Sequence, residues 1–151
     1  MKCDLFLLNE YKGSDLGPLH IFDKGFVYRP EKKYSGFLGL NVDRIKMVSI
    51  VVELRRKRLE VFSSDVRYRD LKNISAEEAA RLAYGYAAAK GINLEFDYFW
   101  SMKNPPVFWG FRIVCGDADR TGGIVMIDRL DGHVWNDSEY AEYLYDYNNI
   151  L

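Results

Sequence analysis

The sequence predicts an α+β fold in which an antiparallel sheet packs against one main helix. Three observations lead to this class. Turn residues divide residues 1–72 into short strand-like runs, a capped amphipathic helix starts after Ser75, and alternating aromatic strands follow that helix. With 151 residues, 48% hydrophobic and 28% charged, the composition is typical of one folded domain. We expect a single domain over residues 1–151, with a strand-rich part at 1–72 and a helix, a meander and a terminal helix at 73–151.

The N-terminal part is predicted to consist mainly of strands. Apolar runs at residues 5–8 and 26–28 are separated by glycine and proline residues, which end strands. Residues 45–54 are rich in β-branched side chains and precede four basic residues, Arg55, Arg56, Lys57 and Arg58. We interpret them as one arm of a hairpin with a charged tip, although Val48 and Val52 also fall near one helical face with Leu59 and Phe62.

The strongest local signal begins at Ser75. Ser75 and Glu78 have the spacing of a capping box, in which each side chain hydrogen-bonds the other's free backbone amide. Lys90 and Gly91 have the pattern of a basic last turn and a left-handed cap. Between these ends, apolar residues recur on one helical face: Ala79, Leu82, Ala83, Tyr86 and Ala87. The small alanines predict close packing across strands.

The segment after Gly91 is predicted to form an antiparallel meander. Residues 94–100 and 107–113 alternate between apolar and other side chains, as a half-buried strand does. Short strands at 124–127 and 133–135 follow, joined by the Asp131-Gly132 turn. Asn136 and Glu139 then have the spacing of a helix start, and tyrosines at helical spacing predict a short terminal helix.

Composition also indicates the compartment and excludes several partners. Two cysteines, Cys3 and Cys115, are too few for a disulfide framework or a sulfur-rich zinc site, so we expect a reducing, cytoplasmic location. The N-terminal apolar run is too short for a secretory leader, and no stretch approaches the ~18 apolar residues of a membrane span. The formal net charge of −1 argues against a nucleic-acid partner.

Residues 117–128 admit two chemical interpretations besides a plain turn. Asp117, Asp119 and Asp128 partly match a calcium loop, but strands and not helices flank them. The same apolar run with Asp117 and Asp119 resembles the nucleophile motif of haloacid-dehalogenase-type phosphatases, without that family's downstream elements. A hairpin turn explains the residues through side-chain bonds to the backbone and positive φ angles. We favour the turn and keep a small metal-dependent hydrolase or phosphatase using these three aspartates as an alternative.

No other catalytic group is predicted, and we expect no cofactor. His20 and His133 are the only histidines, and no serine or cysteine lies in a glycine-framed turn. Charge is nevertheless uneven along the chain, because the first half is basic and the end is acidic. The four basic residues at 55–58 leave a nucleic-acid-binding adaptor as a further alternative. The acidic end is a candidate for steering a partner of opposite charge.

The C-terminal half resembles two protein families. Ile74-Ser-Ala-Glu-Glu-Ala79, followed by a strand pair of the form apolar-x-Asp-x-x-x-Gly-x-Val, resembles the PepSY domain. The same helix, followed by the Trp109-Gly110 step, a turn with Asp128 and Gly132 and an acidic tail rich in tyrosine, is similar to the immunity protein 35 family of bacterial polymorphic toxin systems. The resemblance covers residues 74–147, about half of the chain.

The resemblance implies a cystatin-like α+β unit that binds another protein and turns over no substrate. An immunity protein of this kind is a cytoplasmic inhibitor that covers the active site of its cognate toxin with a pre-formed, charge-matched surface. If that toxin is a nuclease, its substrate channel is basic and an acidic surface would fit it. We therefore predict partner contacts at Asp137, Glu139 and Glu142 on the outward side of the last helix, with no catalytic, metal or cofactor residues.

Overall fold

The computed structural model describes residues 1–22, 24–26, 28–98, 101, 106–114 and 123–150. The chain divides into two compact units. The first consists of Met1–Asp70 together with Ser138–Leu151, and the second is Leu71–Asp137. Each contains an antiparallel sheet and helices, so the predicted α+β class is confirmed. The C-terminal segment lies with the first unit, although it follows the meander of the second in sequence.

The sheet of the first unit is built around its longest strand. Strand β1 is Lys2–Lys12, β2 is Lys33–Phe37, β3 is Val42–Asp43 and β4 is Val61–Asp65. The other three strands all pair antiparallel with β1. A four-residue 3-10 helix and helix α1, Leu19–Phe22, follow β1.

Residues 45–54 form a helix, so the hairpin prediction for them is wrong. Helix α2 is Arg44–Arg56, and its buried side chains recur at helical spacing: Met47, Ile50, Val51 and Leu54. β-branched residues lower helix stability by only about 0.7 kcal/mol each or less. Burying a large apolar side chain contributes about 1.5–3 kcal/mol. Packing on the sheet therefore outweighs the local preference for strand.

A buried aspartate connects the loops of the first unit. The Asp4 carboxylate is fully buried and accepts hydrogen bonds from the backbone amides of Leu5, Gly39 and Leu40. Arg69 Nη1, in the short helix α3 (Arg67–Asp70), donates at 2.9 Å to Asp4 Oδ2, the oxygen that also accepts from Gly39. All of these bonds are internal, so Asp4 has a structural role.

The second unit packs one main helix on a three-stranded sheet, as predicted. Helix α4 is Ala76–Lys90, and the sheet has the order β5 (Asn93–Phe96), β6 (Phe108–Val114), β7 (Ile124–Asp128). Ser75 Oγ accepts a hydrogen bond from the Glu78 amide at 3.1 Å, and Gly91 has a left-handed φ of 66°. Both predicted ends of the helix are therefore confirmed.

The apolar face of α4 is also confirmed. Ala79, Ala83 and Ala87 are buried, and the first two form one core cluster with Phe111, Val125 and Ile127 of the sheet. The meander is antiparallel throughout. Strand β5 ends at Phe96, earlier than predicted, and residues 99–100 lie outside the described part of the chain. The predicted last strand is reduced to a single bridge between Ile127 and Val134.

The predicted terminal helix is present as α5, Asp137–Glu142, and continues into one π-helical turn at Tyr143–Tyr147. Cys3 is buried with a free thiol, and Cys115 lies outside the described residues. Within the described ranges, no helix has the length and apolar character needed to cross a membrane.

Candidate functional site

The C-terminal segment, residues 138–150, is hydrogen-bonded to the edge of β4 that does not pair with β1. Asn148 Oδ1 accepts from the Ser63 amide at 2.7 Å, and Asn148 Nδ2 donates to the carbonyls of Ser63 and Tyr143. The Tyr143 hydroxyl donates to the Ser63 carbonyl at 3.1 Å. Both side chains are buried, and burial raises the pKa of Tyr143, which therefore stays a neutral donor. These bonds satisfy strand groups that would otherwise have no partner.

Arg55 adds to the same attachment. Its guanidinium donates to the carbonyls of Val61 and Asn148 and lies 5.1 Å from the centre of the Phe62 ring. Burial lowers the pKa of Arg55 from its ordinary value. Of the four basic residues predicted as a possible nucleic-acid site, Arg55 is thus a structural tie. Arg56 contacts Glu53 at 3.4 Å, while Lys57 and Arg58 are exposed at the end of α2.

Beside the attached segment lies a cavity of about 370 Å³. It is lined by residues of β3, α2, α5 and the π-helical turn, together with the first residue of the chain: Met1, Asp43, Arg44, Ile45, Glu142 and Tyr147. We call it the acidic groove. Ile45 is 79% exposed here, because it lies on the side of α2 opposite to the buried side chains.

The charged groups around the acidic groove differ in how far they are already paired. Asp43 contacts Lys2 Nζ at 2.9 Å, and this hydrogen bond lowers the pKa of Asp43. Asp146 contacts Arg44 at 3.6 Å, and the Arg44 guanidinium lies 5.4 Å from the centre of the Tyr147 ring. Glu142 is exposed and makes no ion pair or hydrogen bond with the described residues. Of the two carboxylates that line the groove, Asp43 is thus already paired, and Glu142 is the one that can form a new ion pair with a binding partner.

The three predicted contact residues do not form one surface. Glu142 lines the acidic groove and Glu139, which is half-buried, precedes it by three positions on the same face of α5. Asp137 is exposed, but at about 100° per residue it points roughly 140° or more away from both. The structure thus brings one of the three, Glu142, to a cavity.

The residues of the hydrolase alternative are only partly described, since Asp117 and Asp119 lie outside the described residues. Asp128 is buried at the end of β7. Its Oδ1 accepts from the Leu130 amide at 2.7 Å and its Oδ2 from Trp135 Nε1 at 2.7 Å. These bonds give Asp128 the geometry of a turn anchor, with its carboxylate directed to protein donors.

Asp128, Asp131 and His133 nevertheless come close together. Each offers a ligand atom, and these atoms lie within 4.8 Å of one another. Asp131 Oδ1 is 2.5 Å from His133 Nδ1. Burial opposes the charge of Asp131, but hydrogen bonds from the amide and ring of His133 outweigh it and lower the pKa of Asp131. Gly132, with φ of 79°, completes the tight turn predicted at this position.

Arg129, the next residue along, is a second structural cation. Its Nε donates to the Phe108 carbonyl at 3.0 Å, its Nη2 donates to the Ser101 carbonyl at 2.8 Å, and the guanidinium stacks 3.7 Å from the centre of the Trp109 ring. Burial lowers the pKa of Arg129 to about 10. These contacts fasten the start of β6.

Comparisons of this chain with protein-family models, with curated proteins and with solved structures yield no match. The fold defines an α+β protein. Ile45 is not predictable as an exposed site residue while residues 45–54 are interpreted as a strand. The helical spacing of Met47, Ile50 and Leu54 is the signal that would have placed Ile45 on the outer face.

Proposed function

We propose that this chain is a non-enzymatic binding protein of the cytoplasm that neutralises a cognate bacterial toxin by covering its active site, as an immunity protein does. The acidic groove carries the proposal. There, exposed Ile45 and half-buried Tyr147 lie beside Glu142, a carboxylate with no ion pair among the described residues. An apolar or aromatic centre bordered by charge is typical of specific protein interfaces.

The attachment of the C-terminal segment supports a pre-formed binding surface. Tyr143 and Asn148 hold that segment on β4 through buried hydrogen bonds, and Glu142 directly precedes Tyr143. A surface that is already ordered loses less conformational entropy when a partner binds. The same bonds therefore favour tight occlusion over a loose encounter.

Charge determines the kind of partner. Glu142 favours a basic surface, such as the substrate channel of a nuclease toxin. The exposed pairs of Asp43 with Lys2 and of Asp146 with Arg44 are worth little in water, so a basic partner can exchange them at small cost.

The buried carboxylates also fit a binding role better than a catalytic one. Asp4 and Asp128 both use their oxygens for hydrogen bonds with protein groups. An occluding inhibitor needs no reacting group, and the resemblance of residues 74–147 to immunity protein 35 points to the same class.

The test is protection by co-expression with bacterial toxin domains, beginning with the product of the neighbouring gene. We expect the wild-type chain to restore growth, and Glu142→Lys and Ile45→Asp each to weaken the toxin complex at least about tenfold, which corresponds to about 1.4 kcal/mol. Dissociation constants from calorimetry give the size of each effect.

Glu31→Lys is the matched control, because it reverses one exposed acid outside the acidic groove. It should protect as the wild type does. Asp137→Lys should have a smaller effect than Glu142→Lys. Folded variants at both groove positions that bind the toxin as tightly as the wild type would rule out the groove, and a toxin left active by the wild-type chain would rule out the function.

A further inference from the structure

A second groove, of about 320 Å³, lies at the other end of α2. Leu8, Leu59, Phe62 and Ile150 give it apolar walls, and the side chains of Arg55 and Arg58 border it. We call it the arginine groove. It shares no lining residue with the acidic groove. Its volume is at the lower end of the roughly 300–1,000 Å³ typical of small-molecule sites.

The two arginines make this groove positive. Neither guanidinium pairs with a carboxylate among the described residues, since Arg55 donates to backbone carbonyls and Arg58 has no side-chain partner there. Glu60 also borders the groove, and its carboxylate accepts a hydrogen bond from Asn9 Nδ2 at 2.5 Å, so the lining holds two cations and one anion. A net positive charge beside apolar walls suits an anionic ligand with an apolar body.

Arg58 occupies a backbone position where glycine is the usual residue. Its φ is 65°, the Leu59 amide donates to the Leu54 carbonyl at 3.2 Å, and the Arg58 amide donates to the Arg55 carbonyl at 2.8 Å. This is the Schellman arrangement that ends many helices, in which the left-handed residue is most often glycine. An arginine there lowers stability relative to glycine. A costly conformation at the border of a cavity is a reason to look for a ligand contact.

We propose that the arginine groove binds a small carboxylate with an apolar body, of the medium-chain fatty-acid class. The hydrocarbon part lies against Leu8, Leu59 and Phe62, and the carboxylate pairs with Arg58. The Arg55 guanidinium adds positive charge at the same end, while its N–H groups remain bonded to Val61 and Asn148. This site is independent of the toxin-binding proposal.

Isothermal calorimetry of the full chain with decanoate, and with decanol as the uncharged match, tests the site. We expect saturable binding of decanoate at one site and binding of decanol at least about tenfold weaker. Arg58→Ala should weaken decanoate binding about tenfold, as expected for the loss of one charge-assisted hydrogen bond, and leave decanol binding unchanged. Arg56→Ala is the matched control, because Arg56 does not line the groove, and should bind decanoate as the wild type does.

Arg58→Gly separates the ligand role from the backbone role. Glycine relieves the left-handed strain, so this variant should melt at a higher temperature than the wild type and still lose decanoate affinity about tenfold. Glu142→Lys should leave decanoate binding unchanged. The proposal is overturned if decanoate does not bind the wild type, if decanol binds equally well, or if the Arg58 variants bind decanoate as the wild type and Arg56→Ala do.

Discussion

Helix α2 of the first unit and helix α4 of the second both pack on an antiparallel sheet, but they differ in the size of the side chains that the helix buries. In the first unit the helix provides bulk, with Ile50 and Leu54 fully buried. In the second unit the helix provides alanines, and the sheet provides the large ring of Phe111 against Ala79 and Ala83. The buried side chains of the helix are thus large in the first unit and small in the second.

This difference determines which substitutions each unit tolerates. A helix that fills the core is sensitive to the loss of volume, because a cavity remains where the side chain was. A helix of small residues packed closely on a sheet is sensitive to added volume, because extra atoms force neighbouring side chains and backbone out of their preferred positions. The two helices therefore predict opposite responses to truncation and enlargement.

Leu54→Ala should have the largest effect of the predicted changes. Leu54 is 0% exposed, so its truncation should lower the free energy of unfolding by about 2–5 kcal/mol. Urea denaturation followed by circular dichroism measures the loss. Ile45→Ala, on the exposed side of the same helix, should change stability by less than about 0.5 kcal/mol. Equal losses at both positions would contradict the assigned orientation of α2.

Ala83→Leu should destabilise the second unit by about 1–3 kcal/mol, because the added atoms meet the Phe111 layer. Ala88→Leu places the same side chain on the exposed side of α4 and should change the free energy of unfolding by less than about 0.5 kcal/mol. Urea titration monitored by tryptophan fluorescence suits this unit, which contains Trp109 and Trp135. An Ala83→Leu variant as stable as Ala88→Leu would show that α4 is not closely packed.

Each unit has an aspartate that accepts backbone hydrogen bonds, and the two differ in exposure. Asp4 of the first unit is buried, and the Asp131 side chain of the second is 67% exposed. Because the pKa of Asp131 is lowered in the folded state, its contribution is present above the unfolded value of about 3.9 and disappears as pH falls through the folded value. Solvent screening limits it to about 0.3 kcal/mol. Asp131→Asn should cost that much at pH 7 and almost nothing at pH 2.5, measured by thermal denaturation at both pH values. A loss that stays the same at pH 2.5 would contradict a charge-dependent role.

The two helices also show why one was predictable and the other was not. Both ends of helix α4 carry local sequence signals, which are Ser75 bonded to the Glu78 amide and the left-handed Gly91. Helix α2 has neither signal, because the Asp43 side chain makes no capping hydrogen bond and the left-handed residue after the helix is Arg58. Without end signals, the β-branched composition of residues 45–54 favours a strand interpretation.

The acidic groove depends on contacts that no local pattern contains. The acidic character of the last helix can be read from Asp137, Glu139 and Glu142. That Glu142 lies beside Ile45 follows from long-range contacts such as the bond between Asn148 and Ser63, which are 85 positions apart. A long-range hydrogen bond of this kind has no signature in hydrophobic periodicity or in turn residues.

Hydrogen exchange of the chain, free and bound to a toxin that it neutralises in co-expression, tests the toxin-binding proposal most directly. We predict that binding slows exchange at residues 43–47 and 139–147, around the acidic groove, and leaves residues 93–96 of β5 unchanged. Protection confined to β5, or no protection at either segment in a saturated complex, would contradict the groove as the surface that covers the toxin.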